Sequence, residues 1–225
     1  MSFADKKLSE IAISVPGSTA LLREYDLDFC CGGADTLGAA VAEKNLNLAE
    51  IEARLTELQN SKKQDDEQRW LTAPYSDIIE HIIHRYHERH KQQLSELFVL
   101  AERVESVHGD RDDCPIGVAA EIQNIYADLS SHMMKEEQIL FPMIKMGNYA
   151  MARMPIQVME HEHAEHGDHL EVLKSLTNNL TPPADACNTW RALYSGIQEF
   201  MDDLMMHIHT ENNILFPRVI EEGSR

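Results

Sequence analysis

From Pro74 onward, apolar residues recur at steps of three and four, the spacing of a helix that buries one face. The first stripe is Ile79, Ile83, Leu94, Leu97, Ala101 and Val104, and the second is Ile122, Ile125 and Leu129, running on through Ile139 or Leu140 to Met143. A third is Ile156, Met159, Leu170 and Leu173, and a fourth is Leu193, Ile197, Phe200 and Leu204, continuing to Ile214 and Arg218. The punctuation predicts helices starting at Pro74, near Pro115, near Pro155 and after a Thr181 cap. Pro142 should loosen the second helix, Gly147-Asn148 should end it, and the third and fourth should run to about Asn178 and Glu221. Four long helices with connections of modest length predict an all-α, antiparallel up-down four-helix bundle.

A small helical domain precedes the bundle. Leu8, Ile11 and Ala12 form one apolar face, Ser18 to Tyr25 another helix, and Thr36 to Lys44 and Leu48 to Leu58 two more, the last capped by Asn47. Residues 59–73 are mostly polar and read as a linker or exposed helix, which divides the chain into 1–58, 59–73 and 74–225. Between the short helices lies Asp28-Phe29-Cys30-Cys31-Gly32-Gly33, a turn whose glycines permit positive φ and close backbone approach. Its thiols read either as small residues filling a tight corner or as a site that binds metal or reacts with nitric oxide or another thiol.

Polar residues interrupt all four stripes. His132-Met133-Met134-Lys135-Glu136-Glu137-Gln138-Ile139-Leu140-Phe141-Pro142 returns as His207-Ile208-His209-Thr210-Glu211-Asn212-Asn213-Ile214-Leu215-Phe216-Pro217, so each copy reads HxxxExxILFP. A helix places i and i+4 on one face, and here that face is the apolar stripe. A buried carboxylate costs several kcal/mol or more unless it is paired or bound to metal. A hydrogen-bonded His-Glu pair, or a rotated helix that keeps the Glu wet, would account for one copy; two copies with the same tail point to metal. On the first helix His87 and His90 both fall on the stripe, with His87 favoured by period, and His81 and His84 lie off its centre. On the third, His163 is favoured over His166, and His161 and His169 look solvated. Tyr86, Tyr126 and Trp190 read as core or rim aromatics, Met133, Met134, Met201, Met205 and Met206 as packing, and Glu137 as a solvated side chain, while Glu162, beside His163, reads either as a solvated helix-face glutamate or as a group that steers protons or lines an access path, a role open to Tyr86 as well.

With 38 acidic against 20 basic side chains the formal charge is -18, which repels phosphate and argues against nucleic acid or an anionic membrane as partner. Four cysteines in 225 residues make no disulfide framework, and no apolar run approaches a membrane span or the core of a leader. The reading is a soluble cytoplasmic protein with reduced thiols. Four imidazoles and two carboxylates suit two ions better than one, and mixed nitrogen and oxygen donors favour iron or manganese over structural zinc.

The order H, HxxxE, H, HxxxE over Pro74 to Ile220 resembles the hemerythrin-like domains. Adding Asp28 to Gly33, Tyr86 to His90, Ser131 to Pro142, Thr177-Asn178-Asn179, Pro182-Pro183 and His207 to Pro217, the chain resembles the repair-of-iron-centres di-iron family, the ScdA, DnrN and YtfE group. That resemblance implies two iron ions held by His87, His132, His163 and His207, with Glu136 and Glu211 bridging, and a Cys30-Cys31 pair that assists. It further implies repair of iron-sulfur clusters damaged by nitric oxide or peroxide, by donating iron, in a cytoplasmic homodimer. Nitric oxide reduction at the two irons and reversible binding of oxygen or nitric oxide are the alternative uses of such a centre. The extra His161, His166 and His169 depart from the family pattern and leave other ligation on the third helix open.

Overall fold

A computed structural model describes residues 2–61 and 66–224. Among the described residues every regular element is helical, apart from an isolated bridge between Lys7 and Thr36. Four short helices come first: α1 (Leu8–Ser14), α2 (Ser18–Glu24), α3 (Leu37–Glu43) and α4 (Leu48–Asn60). Thr36 and Asn47 open α3 and α4 by accepting from the backbone N–H of Ala39 and Glu50, which satisfies a donor that a helix start leaves without an intrahelical partner. Leu8, Ile11 and Ala12 are buried together as their spacing predicts.

Four long helices follow. Helix α5 joins Tyr75–His81 to Glu88–His108 through a π-helical turn, Ile82–His87. Helix α6 is built from Val118–Lys135, a π-turn Glu136–Leu140 and Phe141–Lys145. Helix α7 is Tyr149–Leu176, and α8 joins Asn188–His209, a π-turn Thr210–Leu215 and Phe216–Gly223. Helix α5 packs on α6 and α8, and α7 packs on the same two, which closes the ring of the four-helix bundle.

Several ends differ from the sequence expectation for identifiable reasons. Pro74 is the extended cap before α5 (ψ 146°) and not its first turn. Gly117, at φ 102°, sets the start of α6 beyond Pro115, a conformation that suits glycine. Helix α7 begins ahead of Pro155, on an exposed stretch where Met151 and Met154 stand in solvent and the loss of one backbone bond is cheap. Asn178, Asn179 and Leu180 take left-handed φ of 51°, 51° and 54° after α7, and the chain stays non-helical over 181–187, so α8 begins at Asn188 and not behind a Thr181 cap.

The buried side chains form two apolar clusters. One joins the N-terminal residues, among them Leu27, Phe29 and Cys30, to the half of the bundle holding Leu97, Leu129, Leu173 and Phe200. The other fills the opposite end with Ile79, Ile82, Ile144, Ile156 and Val219. Trp70, from the stretch read as a linker, is buried in this second cluster, where the Arg218 guanidinium donates to its carbonyl at 2.7 Å. The linker's residues 62–65 lie outside the described residues. No described helix is long and apolar enough to cross a membrane.

Candidate metal centre

Between the two clusters lies a polar layer. His87 of α5, His132 and Glu136 of α6, His163 of α7 and His207 and Glu211 of α8 are all buried there, with both glutamates and three of these imidazoles at 0% exposure and His132 at 1%. The Nε2 atoms converge in pairs, His87 on His207 at 3.2 Å and His163 on His132 at 3.1 Å. Glu136 Oε2 lies 3.4 Å from both His87 Nε2 and His132 Nε2, while Glu211 lies 3.2 Å from His163 and 3.3 Å from His207. The result is two groups of four donors, His87, Glu136, His207, Glu211 and His132, Glu136, His163, Glu211, that share both carboxylates.

This donor set fits cations. All four carboxylate oxygens of Glu136 and Glu211 are buried without a hydrogen-bond partner, a costly state for ionised groups unless positive charge stands between them. Without metal, protons supply part of that charge. Burial opposes a charge on His163, but the Glu211 carboxylate 3.2 Å from its Nε2 overcomes it and carries the imidazole up to about 9. His87 is raised against its burial in the same way by Glu136. Burial holds His132 and His207 well below the ordinary value, so each convergent pair contains one imidazole that gains a proton and one that refuses it.

The constellation has known counterparts. Residues 78–219 match the model of the hemerythrin HHE cation binding domain. The chain belongs to the hemerythrin family. Residues 4–59 match a second model, a domain of unknown function, DUF542. Over 222 residues, 99% of this chain and 100% of its relative, the chain is 68% identical to a probable iron-sulfur cluster repair protein of Haemophilus influenzae. It is 56% identical to the iron-sulfur cluster repair protein YtfE of Musicola paradisiaca over 98% of both chains. It is 54% identical to the protein of that name from Pectobacterium atrosepticum, over 98% of this chain and 99% of the relative.

Around this hemerythrin-family layer stand residues that periodicity did not single out. Imidazole Nδ1–H groups donate outward, His87 to Glu137 at 2.9 Å, His132 to Glu162 at 2.8 Å and His163 to Asn212 at 2.8 Å, which leaves Nε2 to face the centre. Glu137 is therefore not the solvated side chain that its position predicts, and of the two roles open to Glu162 the structure departs from the solvated one; each is drawn partly inward by an imidazole, and Glu162 also pairs with Lys135. The ILFP tail acquires a purpose as well. Phe141 stacks on His87 and Phe216 on His163, with ring centroids 5.9 and 6.1 Å apart, so each repeat walls off an imidazole from the preceding helix.

Three π-turns meet this layer, ending at His87, starting at Glu136 and containing Glu211. Each adds a residue to a helical turn, as π-bulges at functional sites do. That insertion moves the apolar track one position on: the buried residues are Ile144 and Val219, not Met143 and Arg218, and Leu140, not Ile139. Ahead of His87 the fully buried residue is likewise Ile82 and Ile83 is half-buried.

The competing histidines lie just outside. His90 packs 5.3 Å from the His207 ring and His166 4.9 Å from the His132 ring, both buried and neither in a four-donor group. Burial depresses both, His166 to about 4. His161 is exposed, but His169 is not simply solvated, since its two nitrogens meet Glu121 at 2.6 Å and Asp128 at 3.1 Å. Among the aromatics Trp190 and Tyr86 are buried, whereas Tyr126 is 42% exposed.

The thiol turn rests against the same layer. Asp28 accepts the backbone N–H of Cys30, Cys31 and Gly32 and fixes the turn, with the sulfurs of Cys30 and Cys31 3.6 Å apart. The glycines do not take positive φ here; Gly33 is needed for close approach, because a Cβ there would stand 2.5 Å from the Phe29 carbonyl oxygen. Hydrogen bonding with Cys31, together with burial and Asp28, raises the Cys30 thiol well above its ordinary pKa. Cys31 donates to the His163 carbonyl at 3.3 Å, so the turn touches the helix that carries a convergent imidazole.

Proposed function

We propose that the chain holds two iron ions, one between His87 and His207 and one between His132 and His163, with Glu136 and Glu211 shared by both, and that it repairs damaged iron-sulfur clusters by supplying iron. The observation that carries this reading is the pair of overlapping four-donor groups, buried and anionic, in a chain similar end to end to proteins named for iron-sulfur cluster repair. Iron bound there supplies a redox-active cation that takes oxygen and nitrogen donors. The chain's own residues do the rest. Glu137, Glu162 and Asn212 hold three imidazoles in the tautomer whose Nε2 is available, Phe141 and Phe216 exclude water, and the carboxylates offer charge that only a cation satisfies.

In this reading residues 1–58 form a thiol-bearing unit seated on the 74–225 bundle, and Cys30 and Cys31 assist transfer to the client. The chain acts in the cytoplasm, consistent with its four free cysteines, and as a homodimer on damaged iron-sulfur proteins. The test is reactivation: iron-loaded protein is mixed with a cluster enzyme inactivated by nitric oxide, beside a Cys30→Ala/Cys31→Ala variant and the metal-free chain. Recovery that needs the loaded form supports the proposal, and no recovery from it removes the proposal. Four protein donors per ion, fewer than iron commonly takes, favour a second reading in which oxygen or nitric oxide binds at the open positions. Nitrous oxide formed anaerobically from nitric oxide would make that reading catalytic, and reversible stoichiometric binding would make it a carrier.

A further inference from the structure

The two repeats differ at the residue after the shared glutamate, and the difference has a chemical reason. In α6 that residue is Glu137, which accepts from His87 Nδ1 at 2.9 Å and lies 3.7 Å from the Lys91 ammonium. In α8 it is Asn212, which accepts from His163 Nδ1 through Oδ1 at 2.8 Å and donates through Nδ2 to the Cys30 carbonyl at 3.0 Å. A carboxylate could perform the first task but not the second, because it has no proton to give. An amide is the side chain of this size that does both. The next residue strengthens the seat, with Asn213 Nδ2 donating to the Phe29 carbonyl at 2.9 Å.

We propose that Asn212 is a positioning residue that couples the Cys30-Cys31 turn to the metal centre, so that the state of the thiols sets how firmly His163 is held. This rests on the reading of His163 as a metal ligand given above. The thiols are within reach of outside chemistry, since both line a groove of about 810 Å³ between the N-terminal segment and the bundle, with Gly167, Lys174 and Met201 on its walls. Anything that draws the Cys30 backbone away removes the donor side of Asn212's grip and frees its amide to rotate off His163. The coupling is reciprocal: metal occupancy shifts the equilibrium of thiol modification by the factor by which modification shifts metal affinity.

A trivalent arsenical that bridges paired thiols is the probe, because the 3.6 Å sulfur separation suits it. Iron affinity of the full chain is measured by chelator competition with and without the arsenical, together with the NMR shift of the Asn212 side-chain amide. The arsenical is expected to weaken iron binding severalfold in the parent and to move that amide signal. Asn212→Asp keeps the acceptor for His163 but cannot reach Cys30, so it should retain two irons while losing the response to the arsenical. Asn212→Ala loses both contacts and should weaken iron binding about 10-fold or more, the range seen when a partner behind a ligand is removed. An arsenical effect of equal size in Asn212→Asp, or none in the parent, overturns the proposal. Should the parent take up no metal, the ligand reading fails, and the coupling itself is then decided in the metal-free chain: an Asn212 amide signal that moves with the arsenical upholds it, and one that stays fixed rejects it.

Discussion

Glu136→Gln separates a metal centre from an ordinary buried ion pair, because the two predict changes of different size in different states. In the metal-free chain the carboxylate is 0% exposed, and of the two imidazoles 3.4 Å from it, His87 and His132, only His87 is raised to take the compensating proton. Removing one partner of a buried pair usually costs about 3–5 kcal/mol, since the other charge is stranded. Here the other charge can leave: burial works against a charge on His87 and Glu136 is its largest support, so without that carboxylate burial favours the neutral imidazole. The metal-free variant should therefore lie within about 1 kcal/mol of the parent. The loaded protein should behave otherwise, because Glu136 belongs to both donor groups and each of the two proposed ions would lose a ligand. At free metal of about 1,000 times the parent Kd, an affinity loss of about 1,000-fold removes most of about 4 kcal/mol of linked stability per ion, or about 8 in all. At about 2–4 °C per kcal/mol for a chain of this size, the metal-induced rise in Tm should shrink by roughly 16–32 °C. Thermal unfolding of both proteins, with and without iron, reads the result directly. A metal-free variant that drops by about 3–5 kcal/mol, beside a parent that gains nothing from iron, would refute the reasoning.

Other expectations follow from the surroundings. Glu162→Gln keeps an acceptor for His132 but removes its charge, and should lower iron affinity about 10-fold, read by chelator competition; an unchanged affinity would mean the contact does not tune His132. Phe216→Ala opens a hole beside His163 and should cost about 3–5 kcal/mol in urea unfolding of the metal-free chain, with faster iron loss from the loaded one. His169 is raised by Glu121 and Asp128 against partial burial, so its stabilisation is full below its unfolded pKa near 6.5 and fades as pH climbs through the higher folded value. His169→Gln should thus destabilise at pH 6 by up to about 1 kcal/mol, given its partial exposure, and by less at pH 9; a penalty that grows with pH would contradict the assignment.

Most of the bundle is legible in the sequence because amphipathic spacing reports which face is buried, and a histidine or glutamate on that face is conspicuous. His87 and His163 stand ahead of His90 and His166 in the periodicity by a small margin, and in the structure their Nε2 atoms face those of His207 and His132. Where the reading slips, it does so at the π-turns. A fixed 3.6-residue period cannot foresee an inserted residue, so Met143 and Arg218 stood where Ile144 and Val219 are buried. Partners of Nδ1 are invisible for a related cause: Glu137, Glu162 and Asn212 sit at helix flanks, where a solvated side chain and an anchored one look alike. The seat of the thiol turn depends on contacts between residues far apart in the chain, such as Asn212 with Cys30, which periodicity does not address.

The division of the interior into two greasy ends with a ligand belt between them gives the molecule a waist. Leu129 and Phe200 on one side and Ile144 and Val219 on the other belong to separate clusters of buried neighbours. A cation held by Glu136 and Glu211 would act as a rivet through four rods at mid-height. Surrendering it should slacken the middle while both ends stay gripped, so that under the proposed iron-supplying role the chain could empty itself without coming apart, ready to be loaded again.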